Sequence, residues 1–401
     1  MPVGTLTVGI TTTENVSSTN YVRDIERSVV KYDKISSPFF RFFAQQSGRI
    51  KNAVQPTYEW QEDQFEYGKF TVSTGIAAVG AGVAQTITIN NPAVIVGDLY
   101  NEPNTNQQFI VTSIGSRTST TSTFDVKQIP LANATTVVAG TPDFISMGTA
   151  MVEAGWFPDA IGSIPKVLSN IVGTVSKSVK ISRTMALTDT YFGSKWEYDK
   201  EKVISQYRKD LERMFLFAKY TNEAAFAQTT PHGSTTNTLR VTRGVIPHLS
   251  TGVTTYGGTL TESIFDSFLD NQTFNPKYAG NKTKLGLCGK QAISDLNSQL
   301  KTKFRFISAG ENKYGMDIQV YIFHGSRRIM LTEESEFWEP AKYQSAVMPV
   351  DPQNIFLRQM GPNFLEIIHS SHPQQDAEMI SLVTRIGVEC QMEQSHSLLT
   401  H

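Results

Sequence analysis

Residues 197–221 read EYDKEKVISQYRKDLERMFLFAKYT. Ile204, Tyr207, Leu211, Met214, Phe215 and Ala218 recur there in steps of three and four, the period that buries one face of an α-helix. Lys200, Lys202, Arg208, Lys209, Glu212, Arg213 and Lys219 fall opposite them and are assigned to solvent. At ~1.5 Å per residue such a helix spans about 37 Å. That is long for a globular helix, so it is expected to cross a whole domain as a spine.

Downstream, Pro231, Gly233 and the Ser/Thr run to Thr238 predict a loop. GGTLTESIFDSFL (257–269) opens with a capping box from Thr259 to Glu262 and places Leu260, Ile264, Phe265 and Phe268 on one helical face. KLGLCG (284–289) reads as a buried strand and KQAISDLNSQLKTK (290–303) as an amphipathic helix. MDIQVYIFHG (316–325) and RRIMLT (327–332) form a predicted hairpin turning at Gly325-Ser326. Residues 343–392 are mostly strands, including NFLEIIHS and ISLVTRIGVECQM, and the last nine residues read as a loose tail.

Upstream, residues 1–19 are Thr/Ser-rich and suggest an extended arm. Val22, Ile25, Val29 and Tyr32 then predict a short helix over 21–33, capped by Asn20. SSPFFRFF follows at 36–43. Ser37 can cap, Pro38 suits the first helical position and Gly48 can end the helix. On a helical wheel Phe39, Phe40, Phe42 and Phe43 cover an arc of about 160°. Each ring gains roughly 1.5–3 kcal/mol on burial. A short helix tethered to a polar arm has little local core for such a face, so the four rings are expected at a subunit boundary.

Residues 49–70 read as extended sequence carrying Tyr58, Trp60, Phe65 and Tyr67, further candidates for that boundary. Composition then shifts. Between 71 and 150 the only charged residues are Asp98, Glu102, Arg117, Asp125, Lys127 and Asp143. β-Branched runs alternate with Gly, Asn and Pro turns at about ten-residue spacing, which predicts a small β-barrel or sandwich. Extended sequence resumes over 151–186, so this β domain reads as an insertion.

The chain has 401 residues, 18% of them charged, with a formal net charge of −1. The charged share is below the usual quarter. No basic stripe supports sequence-specific nucleic-acid binding, although a wall confining nucleic acid needs little affinity. Cys288 and Cys390 read as buried thiols in a reducing compartment, with no CxxC spacing for zinc. MPVGTLTVGI lacks the pattern of a signal peptide. The most apolar run, GIAAVGAGVA (75–84), is too short to span a bilayer.

Motifs for chemistry are weak. Gly289-Lys290 has no partner glycine at P-loop distance, Gly80-x-Gly82 continues into β-branched sequence, and no G-x-S-x-G occurs. His369 and His372 form an HxxH without an intervening Glu, just before a proline. Glu59, Glu62, Asp63 and Glu66 read as a solvated or partner-facing strand edge. No catalytic, cofactor or metal site is assigned.

Several segments recur in an informative order: SSPFFRFF followed by YEWQED; VGDLYN; LERMFLFAKYTNEAAF; TRG at 242–244; GGTLTESIFDSFL; YGMDIQVYIFHGSRRIMLTEE; and MPVDPQNIFLRQM. Together they resemble the major capsid proteins of tailed bacteriophages, which have the Hong Kong 97-type capsid fold. The resemblance implies an α+β chain with an N-terminal arm over 1–48 and an extended E-loop over 49–70 and 151–186, with the all-β domain 71–150 inserted. It further implies a peripheral domain over 187–239 and 341–401 with its spine over 197–228, and an axial domain over 240–340.

By that resemblance, copies would tile as pentamers and hexamers into an icosahedral or elongated phage head enclosing double-stranded DNA. The chain would be a virion protein assembled in the host bacterial cytoplasm, with no membrane and no enzymatic activity. A portal, a decoration protein and a scaffolding protein are the implied partners. The short stretch before Ser36 points to a separate scaffold rather than a fused one. The alternatives are another virion assembly component, such as a tail or baseplate protein, or the shell protein of an encapsulating nanocompartment.

Overall fold

The computed structural model describes residues 38–45, 48–63, 69–73, 75–91, 93–118, 120–136, 138, 140–153, 155, 157–159, 162, 165–188, 194–230, 233–274, 280–300, 306–308, 319–323, 327–337, 340–371 and 376–401. The arm and helix expected over 1–33, the Ser37 cap, Phe65, Tyr67, His372 and the Gly325-Ser326 turn lie outside them. The chain divides into two compact units, Trp60–Leu168 and the remainder.

The first unit begins with α1 (Pro38–Gln45), β1 (Ile50–Asn52) and β2 (Thr57–Glu62), the last of which leads into the second unit. That second unit holds β3 (Lys69–Thr71), β4 (Gln85–Ile89), β5 (Asp98–Glu102), β6 (Gln107–Arg117), β7 (Ser122–Ile129) and β8 (Asp143–Thr149). The chain returns through β9 (Lys166–Ile171), which pairs with β2.

The strands of the second unit form one sheet in the order β3-β8-β5-β6-β7-β4. Its two ends meet: Val72 bridges Ile89, and the Ser73 amide donates to the Thr88 carbonyl over 2.9 Å. Closure leaves few unpaired edges. The alternation in β7, where Phe124 and Val126 point inward and Asp125 outward, follows from the two-residue period of a strand. Tyr100, Phe109, Phe124 and Phe144 fill the interior, with the Phe109 and Phe144 centroids 5.4 Å apart.

In the first unit, β10 (Gly173–Ser182) is followed by the short α2 (Arg183–Ala186) and then α3 (Lys195–Phe217). β10 pairs with β21 (Ala377–Cys390) from Gly173↔Ile386 to Ser182↔Ala377. β19 (Ile355–Gln359), β20 (Glu366–Ser371) and β1 complete this sheet, with β1 parallel to β19. α3 packs on β10 and β21. Val175 and Val179 meet the core beneath it, and Lys177 between them reaches Asp210 of α3 at 2.6 Å.

α3 starts where Ser194 accepts from the Glu197 amide. It ends earlier than the sequence predicts. Ala218 is extended, and the expected remainder of the spine together with the expected loop forms a hairpin, β11 (Thr221–Thr230) and β12 (Gly233–Val241). The stop is a long-range effect. Gly244 returns against the last turn and donates its amide to the Ala218 carbonyl at 2.8 Å. A Cβ at Gly244 would sit 2.7 Å from the Phe215 carbonyl oxygen, so only glycine allows that approach.

The remaining elements are α4 (Val245–His248), β13 (Val253–Thr255), α5 (Glu262–Phe268), a π-helical turn (Leu269–Thr273), β14 (Thr283–Cys288), α6 (Lys290–Leu300), β15 (Phe306–Ser308), β16 (Gln319–Phe323), β17 (Arg327–Glu333), α7 (Ala341–Gln344), β18 (Val347–Val350) and β22 (Leu398–Thr400). The helix cap is Thr261, accepting from the Ile264 amide, and not the predicted Thr259, because the helix begins two residues later than the capping-box reading requires. A seven-stranded sheet runs β13-β22-β18-β14-β17-β16-β15.

The last residues are not a loose tail. β22 lies inside that sheet between β13 and β18, with Leu398 in the core under α3 and Leu399 in the core against α5 and α6. The turn before it is pinned by buried polar groups. Lys284 donates its Nζ to the Ser395 carbonyl, and the His396 Nδ1 accepts from the Asp351 amide at 3.0 Å. Burial lowers the Lys284 pKa to about 8 and the His396 pKa to about 3, so His396 is neutral there. The mostly polar stretch 393–400 looks solvated in sequence; long-range pairing is what buries it. Leu399→Ala is expected to cost roughly 2–5 kcal/mol in denaturant unfolding; a loose tail would show no loss.

Candidate functional site

Pro38 brings no amide to the first turn of α1, and the next two amides, of Phe39 and Phe40, donate to Glu212 Oε1 and Oε2 over 2.8 Å each. A carboxylate of α3 therefore caps the helix from 173 residues away in the chain. The rings follow. Phe39 and Phe43 lie with centroids 4.6 Å apart, Phe42 meets Phe43 edge-on, and Phe40 stacks 6.0 Å from Phe215 and tilts against Phe364 at 5.2 Å.

Within the single subunit most of the cluster already has cover. Phe39, Phe42 and Phe43 are buried within their own chain, among Leu211, Phe215, Leu357 and Val388, and Phe40 is half-buried beside them. The local sequence has no core to offer, but α3 and the strands β19 and β21 bring one. Phe43→Ala is expected to cost about 3–5 kcal/mol in the dissociated subunit, and Phe40→Ala less. Rings sheltered only by a neighbour would leave the subunit's unfolding midpoint unchanged.

Glu212 also departs from its expected solvent face: it is fully buried. Its neighbour is Glu334, also fully buried, at the end of β17, with the two carboxyls in hydrogen-bond contact. Desolvation raises the Glu212 pKa to about 7, against the pull of its hydrogen bonds, and raises that of Glu334 well above the usual carboxylate range. Glu336 follows in a 3-10 turn (Ser335–Phe337) and is ion-paired with Arg213. The sequence offered one clue, an acidic residue directly beside Leu211 on the apolar flank of the helix.

Tyr58 is buried in its own chain as well. Its hydroxyl donates to the Val388 carbonyl at 2.8 Å, and burial raises its pKa. Asn170 donates to the same carbonyl at 2.7 Å and accepts from the Arg243 amide at 3.0 Å. Gly387 makes room: a Cβ there would stand 2.5 Å from the Tyr58 hydroxyl. Trp60 is buried, with its indole N–H on Glu62 at 2.8 Å. Of the expected boundary aromatics described, only Phe40 keeps appreciable exposure.

Exposed apolar side chains lie elsewhere. In the second unit these include Ile145, Met147, Met151, Val152, Phe157 and Val167; in the first, Leu187, Phe226 and Leu239. Phe157 is 89% exposed and Leu187 86%. Both sit within or just after 151–186, the expected return side of the extended loop. Among the described residues no three His, Cys, Asp or Glu side chains converge as a metal site, and no helix is long and apolar enough to cross a membrane.

The class of protein that this mixed α+β chain matches is a capsid protein. The chain belongs to the SU10 major capsid protein family, whose description matches residues 7–401. It is accordingly a structural component of the virion, and copies of it form the capsid. Comparison with curated proteins finds no match.

Solved structures similar to it include the capsid of an empty GTA particle, at 8% identity over 96% of this chain and 97% of that one, with a TM-score of 0.47. The capsid of Myoviridae phage XM1 is similar at 8% identity over 98% and 99%, with a TM-score of 0.45. The SrpI encapsulin complex from Synechococcus elongatus PCC 7942 is similar at 9% identity over 61% and 77%, with a TM-score of 0.41.

Proposed function

We propose that this major capsid protein builds a shell of pentamers and hexamers on the Hong Kong 97-type plan and encloses double-stranded DNA without reading its sequence. In this reading the five-stranded sheet with α3 is the peripheral domain, the seven-stranded sheet with α5 and α6 the axial domain, 49–70 and 151–186 the extended loop, and 71–150 an inserted β domain contacting a neighbouring capsomer. A scaffolding protein and a portal act in assembly inside the bacterial host, and a decoration protein is a further partner. The role is structural rather than enzymatic. The near-neutral charge, −1 over the chain, suits confinement rather than tight binding of nucleic acid.

One observation carries this reading. Phe157 and Leu187 are almost wholly exposed in a single chain, the first on the stretch assigned to the loop that reaches a neighbour and the second immediately after it. A closed shell requires heterologous contacts of this kind, in which a patch on one copy meets a different patch on the next. Phe157→Asp and Leu187→Asp are expected to leave the subunit's unfolding midpoint within about 0.5 kcal/mol of wild type while abolishing shells in electron micrographs. Wild-type-like shells from both variants would refute the assignment of these residues, and tubes or small rings from the unaltered protein would refute the shell plan.

A further inference from the structure

We propose that Glu212 and Glu334 share a single proton that latches α1 onto its own subunit, and that loss of this proton as pH rises releases the helix. The inference concerns the subunit alone and does not depend on the shell plan.

The geometry requires the proton. Both carboxyls are fully buried and in contact. Glu212 spends its two oxygens on the Phe39 and Phe40 amides, each at 2.8 Å, a role suited to the ionised form. Glu334 accepts the Glu336 amide on Oε1 at 3.2 Å, while its Oε2 meets no donor among the described residues. A proton on Oε2 turns that oxygen into a donor toward Glu212. One net negative charge then serves two carboxyls and two helix amides. Without the proton, two negative charges face each other away from water, where repulsion and desolvation act together.

Among the described side chains, the charges beside the pair do not relieve this. From α3 comes Arg213, which is engaged by Glu336 and lies 3.9 Å from Asp210. From the 3-10 turn comes Glu336 itself, which adds negative charge. From α1 come the Phe39 and Phe40 amides.

The direction of the pH effect follows. With α1 undocked and water admitted, both carboxyls titrate near the ordinary ~4.3. Docked, the pair holds its proton far above that. The docked state therefore binds more protons than the undocked state in the intervening range, and docking weakens as pH rises across that range, by up to ~10-fold per pH unit for one proton.

Hydrogen exchange in the full chain tests the latch, with amide protection factors corrected for intrinsic exchange between pH 6 and 9. In the wild type the Phe39 and Phe40 amides should lose protection with rising pH by up to ~10-fold per unit, while the Val388 amide of the sheet keeps its own. Glu334→Gln places a permanent N–H donor opposite Glu212 and should flatten the profile; Glu336→Gln should leave it as in the wild type. A wild-type profile that is flat, or that falls in parallel at Val388, overturns the proposal even if no variant folds. So does a Glu334→Gln protein that keeps the wild-type slope.

Discussion

β14, β18 and β22 are buried on both faces, and this constraint organises the first unit. Leu285 and Leu287 of β14 face the core under α3, while Cys288 faces the core of α5 and α6. β18 divides in the same way, Met348 and Val350 to one side and Val347 to the other. Buried strands of this kind read as continuous apolar runs rather than alternating ones. A register slip of one residue in any of them would exchange the contents of two cores at once. The two cores are thus coupled through a shared sheet, and the last strand closes both.

α1 is held on its own unit by a few specific groups. Its rings complete a core that α3 and the five-stranded sheet already define, and its first turn is satisfied by a carboxylate rather than by its own sequence. Apolar side chains left exposed include Phe157 and Leu187 and, on the hairpin after α3, Phe226 and Leu239.

Much of the fold was legible where the signal is local. The spine helix, the short strands of 71–150, KLGLCG and the helix after it all announce themselves by period and composition. The failures share one cause, pairing over long sequence distance. Nothing within the helix says that Gly244 will stop it at Phe217. Nothing in the final residues says that Leu398 and Leu399 have partners waiting far upstream. Glu212 looked solvated because charged residues usually are, and its two amide partners lie in a helix that precedes it by most of a domain. The phenylalanine cluster was read as demanding burial, and three of its rings find it against α3, β19 and β21, a core that sequence proximity does not reveal. As a site, exposed side chains such as Phe157 and Leu187 carry no signal in period or composition that sets them apart from core residues.

The cysteines carry a practical consequence. Neither Cys288 nor Cys390 is in a disulfide, both are buried, and burial pushes the Cys288 thiol far from the ionised form that reacts. Thiol-directed reagents should find no ready target on the folded subunit. A single cysteine introduced on the solvent side would carry a dye or crosslinker alone, so the natural chain already supplies the silent background for mapping which faces meet during assembly.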